Sequence, residues 1–211
     1  MDAPAHFAEG GRFLAEIPAD RLNGPAVVID ISNKTAQSAD AELEIKDLVA
    51  WESEYGEIPD GAYVFMYSNW SPRWPDESRY FGSATNDLTD LHYPGFSIEA
   101  ADWLVQNRNI YAVGVDTCSP DGGIRTTFPV HTLLCGKDIF IMENVGNLDQ
   151  VPPSGATVYA FPMKIKFGSG GPARIIAYIP EDNACGSIHG ARGGVMIMVA
   201  IMCIIELFYA F

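Results

Sequence analysis

The segment Asp2-Ala3-Pro4-Ala5-His6-Phe7 places a carboxylate and an imidazole four residues apart. Pro4 lies between them. It lacks a backbone donor and stops a helix, so the segment reads as a rigid extended loop. A carboxylate and a histidine on such a loop suit a metal ligand beside a general base, although the same residues also fit a frayed chain end. His131 follows Phe128-Pro129-Val130, and its spacing fits a hydrogen-bonded core or surface histidine as well as a ligand. Glu143 ends the apolar run Ile139-Phe140-Ile141-Met142. A carboxylate at the end of a buried strand is costly without a partner, and Asn144, a backbone amide or a metal ion would each serve. His92 and His189 have no supportive neighbours and read as structural. Gly168-Ser169-Gly170-Gly171 follows a strand with no helical pattern after it, so it reads as a hairpin turn rather than a phosphate cradle.

The apolar runs that must position these side chains alternate between strand and helix character. Residues 26–31 (AVVIDI), 62–67 (AYVFMY) and 110–115 read as strands, as do 139–142, 157–162 and 173–178. Residues 42–55 read as an amphipathic helix ended by Gly56, and Ser97 caps a second helix that runs to about Arg108. The pattern predicts a single mixed α/β domain. The Trp-, Pro- and Asp-rich stretch 70–93 reads as a long functional loop.

The chain has 211 residues, 48% of them hydrophobic, and a formal net charge of −14. That length supports one domain with a proper core, and the composition excludes a disordered chain. An acidic surface repels nucleic-acid backbones, so no nucleic-acid partner is expected. Cys118, Cys135, Cys185 and Cys203 form no CxxC pair and read as buried free thiols, with a Cys118–Cys135 bridge as the alternative in an oxidising compartment. Residues 195–211 (VMIMVAIMCIIELFYAF) carry one charge, Glu206. As a helix they would span roughly 25 Å, against about 30 Å for a bilayer core. Behind the small and polar stretch 181–194 this is the layout of a GPI-attachment signal, with Asn183, Ala184 or Cys185 as the site. A retained membrane anchor and a buried helix are the alternatives. The opening MDAPAHFAEGGRF has no secretory signal pattern. The tail makes the cell surface or secretory pathway the expected location, and the missing signal pattern makes a cytosol-facing tail anchor the alternative.

In order and spacing, residues 1–180 resemble the cyclase family of metal-dependent hydrolases, which includes bacterial kynurenine formamidase and isatin hydrolase. Asp2-Ala3-Pro4-Ala5-His6-Phe7 is similar to the second half of the family's HxGTHxDxPxHF signature. The likeness continues through Val28-Ile29-Asp30-Ile31-Ser32, Tyr93-Pro94-Gly95-Phe96-Ser97 and Gly114-Val115-Asp116-Thr117-Cys118-Ser119-Pro120-Asp121. It goes on through Pro129-Val130-His131-Thr132-Leu133-Leu134 and Glu143-Asn144-Val145-Gly146-Asn147-Leu148-Asp149. The resemblance implies a mixed-sheet α/β domain with flanking helices over 1–180, followed by the 181–194 spacer and a hydrophobic C-terminal helix over 195–211. It also implies that Asp2 is a metal ligand, that His6 is the general acid/base, and that His131 and Glu143 complete a metal position for zinc or manganese.

The implied reaction is metal-assisted amide hydrolysis. The ion makes hydroxide available near neutral pH and steadies the oxyanion, and His6 passes a proton to the leaving nitrogen. Trp70, Trp74 and Tyr80 would stack on a small aromatic amide such as N-formylkynurenine, or else serve as core or lid packing. A homodimer is expected by the same resemblance. The family's HxGTH half, with two histidine ligands, does not precede Asp2, and an internal methionine taken as the start would account for this and for the missing signal peptide. Two readings stand. One is an arylformamidase-type metal hydrolase acting on N-formylkynurenine or a related aryl or cyclic amide, two ligands short as written. The other is a non-catalytic, membrane-anchored binding or structural protein on the same fold.

Overall fold

The apolar runs separate into two kinds of strand, and the distinction fixes the architecture. The computed structural model describes residues 1–84 and 89–180, and the backbone of 194–197. Its elements in chain order are β1 (Asn23–Asp30), α1 (Ser32–Thr35), β2 (Glu42–Leu43), α2 (Ile45–Tyr55), β3 (Tyr63–Tyr67), α3 (Glu77–Tyr80) and β4 (Gly95–Phe96). They continue with α4 (Ile98–Asn107), β5 (Ala112–Val115), α5 (Pro129–Cys135), β6 (Phe140–Met142), β7 (Thr157–Pro162), β8 (Ala173–Pro180) and β9 (Gly194–Ile197). Strands β3, β5 and β6 are apolar and buried almost throughout, as strands covered on both faces must be. They pair in parallel with one another and with β1. By contrast β7 and β8 alternate buried and exposed residues, the pattern of antiparallel strands with one wet face.

One seven-stranded sheet results, in the order β6-β5-β3-β1-β7-β8-β9. Ala26–Asp30 of β1 pair with β3, whereas Asn23, Gly24 and Pro25 pair with β7, so β1 is the seam where the sheet turns. Successive residues of the parallel strands feed two cores. Val27, Ile29, Val64, Val113 and Ile141 pack beneath Leu48 and Trp51 of α2, Leu104 of α4 and Leu134 of α5. Ala26, Val28, Phe65, Ala112 and Phe140 pack against Val158, Ala160, Ile175 and Ala177 of the antiparallel strands.

The helix expected over 42–55 starts later, at Ile45, because Glu42 and Leu43 pair with β4 as a two-residue strand. It ends as expected at Gly56, whose φ of +92° suits glycine alone. Ser97 caps α4, its hydroxyl accepting from the Ala100 amide at 3.1 Å. The C-terminal helix expected from residue 195 is corrected where the structure describes it: Gly194–Ile197 form β9, an antiparallel neighbour of β8. An apolar run rich in Val and Ile satisfies either a helix or a strand, and periodicity does not choose between them. The rest of that tail, and all but the last residue of the 181–194 spacer with Cys185 and His189, lie outside the described residues. No helix among the described residues is long and apolar enough to cross a membrane.

Candidate active site

The three ligand types arrive at one place from three separate segments. The chain start is docked, not frayed. The Met1 ammonium donates to the Gly171 carbonyl at 3.0 Å, Asp2 exchanges backbone hydrogen bonds with Ile141, and the Ala3 amide donates to Ser169 at 2.8 Å. The segment after it is a 3-10 turn over Pro4–His6, not the extended loop expected, because proline at the first position of such a turn removes only an unused donor. Residues 163–172, which join β7 to β8, form the other wall. A Cβ at Gly170 would lie 2.9 Å from the Asp2 carboxylate, so glycine leaves room for that group. His131 is placed by the first turn of α5, and Glu143 follows β6 directly.

Asp2 and Glu143 both face Nε2 of His131, at 3.6 and 3.2 Å, and one ligand atom from each of the three residues lies within 4.8 Å of the others. Nδ1 of the same ring donates to Asp121 at 2.7 Å. The Asp121 carboxylate, completely enclosed, also accepts from the backbone amides of Val130 and His131. It therefore fixes both the turn of α5 and the ring orientation that leaves Nε2 toward the two acids. Burial pushes the Glu143 carboxyl up to about 7, and the neighbouring Asp2 charge adds to that. Burial opposes charge on His131, yet hydrogen bonds to Asp121, Asp2 and Glu143 outweigh it and hold the imidazole well above its usual range. Three carboxylates around one imidazole are an excess of negative charge in a poorly hydrated place. One nitrogen and two carboxylates, with the imidazole's far side on a third, form a donor set that fits a divalent cation.

His6 stands apart from this trio, exposed at its rim. Nδ1 lies 3.3 Å from the Ser169 hydroxyl, and the ring centroid is 6.3 Å from that of His131, with Phe7 packed against both rings. Of the three aromatics expected to stack on a substrate or to serve as core or lid packing, Trp70 takes the packing role. It is fully enclosed, its indole donates to the Tyr80 carbonyl at 2.7 Å, and with Tyr80 and Tyr93 it forms a small core under the 70–93 loop. Trp74 and Tyr80 line a cleft of about 380 Å³ with Tyr67, Asn69, Asn144 and Asp149. Tyr80 donates its hydroxyl to the Asn144 side chain, the residue after Glu143. The cleft thus opens beside the acidic cluster, at the C-terminal ends of the parallel strands. Cys118 and Cys135 are free thiols, and burial raises them to about 12 and about 11, which removes either as a nucleophile. His92 pairs with Asp40 at 2.8 Å, away from this site.

Two buried acids were not singled out in the sequence. Asp121 is one. Asp116, after β5, accepts from the Ser68 amide and hydroxyl and from the Trp70 amide, which ties the 70–93 loop to the sheet. A polar residue directly after a buried strand was the available signal for Asp116. Asp121 had only its place at the end of the resembling stretch 114–121 and the Gly-Gly turn after it.

The Cyclase family model matches residues 1–122. An isatin hydrolase of Roseibium aggregatum is 34% identical over 189 residues, covering 86% of this chain and 70% of that protein. A kynurenine formamidase of Erythrobacter litoralis is 27% identical over 175 residues, covering 83% and 69%. The structure of an isatin hydrolase bound to the product analogue thioisatinate superposes with a TM-score of 0.79 at 33% identity, covering 85% of this chain and 70% of that one. This chain belongs to the cyclase family. The relatives just described are hydrolases, and the isatin hydrolase structure shares this chain's mixed α/β fold with a curled sheet.

Proposed function

We propose that this protein is a metal-dependent hydrolase of small aryl amides, with Asp2, His131 and Glu143 holding zinc or manganese. Its substrate is a cyclic amide of the isatin type or an open formamide of the N-formylkynurenine type. The observation that carries the reading is the meeting of these three side chains, from chain positions 2, 131 and 143, within 4.8 Å. A divalent ion there supplies an activated water and charge for the developing oxyanion. Asp121 keeps the proton of His131 on Nδ1, so that Nε2 stays available. His6, steered by Ser169 and open to solvent, gives a proton to the leaving nitrogen. The neighbouring cleft receives the aryl ring against Trp74 and Tyr80.

Metal analysis with isatin and N-formylkynurenine turnover tests the proposal. The purified chain should carry a stoichiometric divalent ion. His131→Ala should lose both ion and turnover, whereas His6→Ala should keep the ion and lose turnover. A folded chain that retains no divalent ion at any concentration tried would sink the reading, and a retained ion without turnover of either amide would favour the non-catalytic one.

A further inference from the structure

Amide hydrolysis leaves unexplained the outer face of the β7–β8 hairpin. The chain has 27 acidic residues, yet none falls between positions 150 and 180, where Lys164, Lys166 and Arg174 do. The same stretch is the most apolar exposed surface described. Tyr159 and Phe161 stack at 6.2 Å on the wet side of β7, and their cross-strand partners Ile176 and Arg174 lie on that same side. Beyond β7 the joining loop exposes Met163 by 57% and Phe167 by 68%. Phe167 sits at φ +61°, a conformation that bulky residues avoid, and Lys166 lies 4.9 Å over its ring. Phe167 meets Phe13 edge-on at 5.6 Å, yet most of its ring stays in water next to Lys164 and Lys166, so packing inside the fold does not account for its exposure. The neighbouring strand, β9, leads directly into 198–211, fourteen residues with a single charge.

We infer that this face seats the protein on a lipid bilayer with anionic headgroups. Met163 and Phe167 enter the apolar boundary, Lys164 and Lys166 reach the headgroups with their stems along it, and Tyr159 and Phe161 line the level above. Screening over about 8 Å at physiological salt lets this local basic patch act despite the chain's overall negative charge. A second copy of the chain is the poorer occupant, since a two-fold contact would set the same lysines against each other.

The full chain should bind vesicles of equimolar phosphatidylcholine and phosphatidylserine more tightly than phosphatidylcholine alone. K164Q/K166Q should weaken binding to the mixed vesicles roughly 25-fold, at about fivefold for each lysine, and leave binding to phosphatidylcholine unchanged. Because the apolar tail alone could hold the chain on vesicles, Phe167→Trp provides a local readout, and its emission should shift to the blue on the mixed vesicles. Co-sedimentation without that shift would overturn the inference, as would equal binding of K164Q/K166Q. A shift that follows protein concentration in the absence of lipid would assign the face to self-association instead.

Discussion

His131 touches three carboxylates, and two of them compete for the same nitrogen. The third, Asp121, sets which nitrogen is offered. Asp121→Asn keeps the shape and an acceptor for the α5 amides but removes the charge behind Nδ1. Ion affinity measured by calorimetry should fall by about 10–100-fold, and in the ion-free chain the imidazole should titrate lower in NMR. An unchanged affinity would mean that the ring needs no such support. Asp2, His131 and Glu143 were legible in the sequence through their resemblance to a family pattern; their residue types and spacing alone left a frayed end and an ordinary core histidine open. Asp121 was hidden because an aspartate before two glycines is ordinary turn chemistry. Trp70 stayed open between stacking and packing because a tryptophan in a loop between strands looks available, and only tertiary packing shows it beneath the loop.

Elements deliver these residues through close backbone approaches. β4 is two residues long, yet its Phe96 amide bonds the Pro120 carbonyl at 2.7 Å and so anchors the turn that carries Asp121. A Cβ on Gly95 would meet the Gly122 nitrogen at 2.3 Å and the Pro120 oxygen at 2.5 Å, backbone atoms with nowhere to go. Gly95→Ala should destabilise the fold by about 1–3 kcal/mol in chemical denaturation and weaken ion binding together with it. Loss of stability with full ion affinity would separate β4 from the site. The long strands were plain in the sequence because parallel strands buried on both faces must be apolar runs. β2 and β4 were not, since two residues carry no periodicity. The start of α2 was misplaced for the same reason: residues 42–43 belong to that hidden pairing.

At the scale of the molecule, the acidic cluster couples folding to protons. Burial and the charge of Asp2 raise Glu143 from 4.5 to about 7. The hydrogen-bonded His131, also raised, acts in the same direction. Between these limits the folded ion-free chain holds more protons than the unfolded one, so stability declines as pH rises. Asp2 is lowered, because its hydrogen bond to His131 and nearby positive charges outweigh burial, and it works in the opposite sense only below its ordinary 3.8. The melting midpoint of the ion-free chain should therefore drop from pH ~5 to ~8, a loss on the order of 1–3 kcal/mol, and zinc or manganese should abolish the slope. A flat profile without the ion would mean that the two acids are hydrated and do not feel each other. The docked chain start then takes on a mechanical meaning. Backbone hydrogen bonds clip residues 1–3 to β6 and the 163–172 loop, and Met1 and Ala3 are buried in the second core. A cation gripped at once by positions 2, 131 and 143 would rivet that clip shut and turn most of the polypeptide into a closed ring, whose opening releases more chain entropy the longer the loop it spans. The same ion would then both arm the site and pin residues 1–3 between β6 and the 163–172 loop.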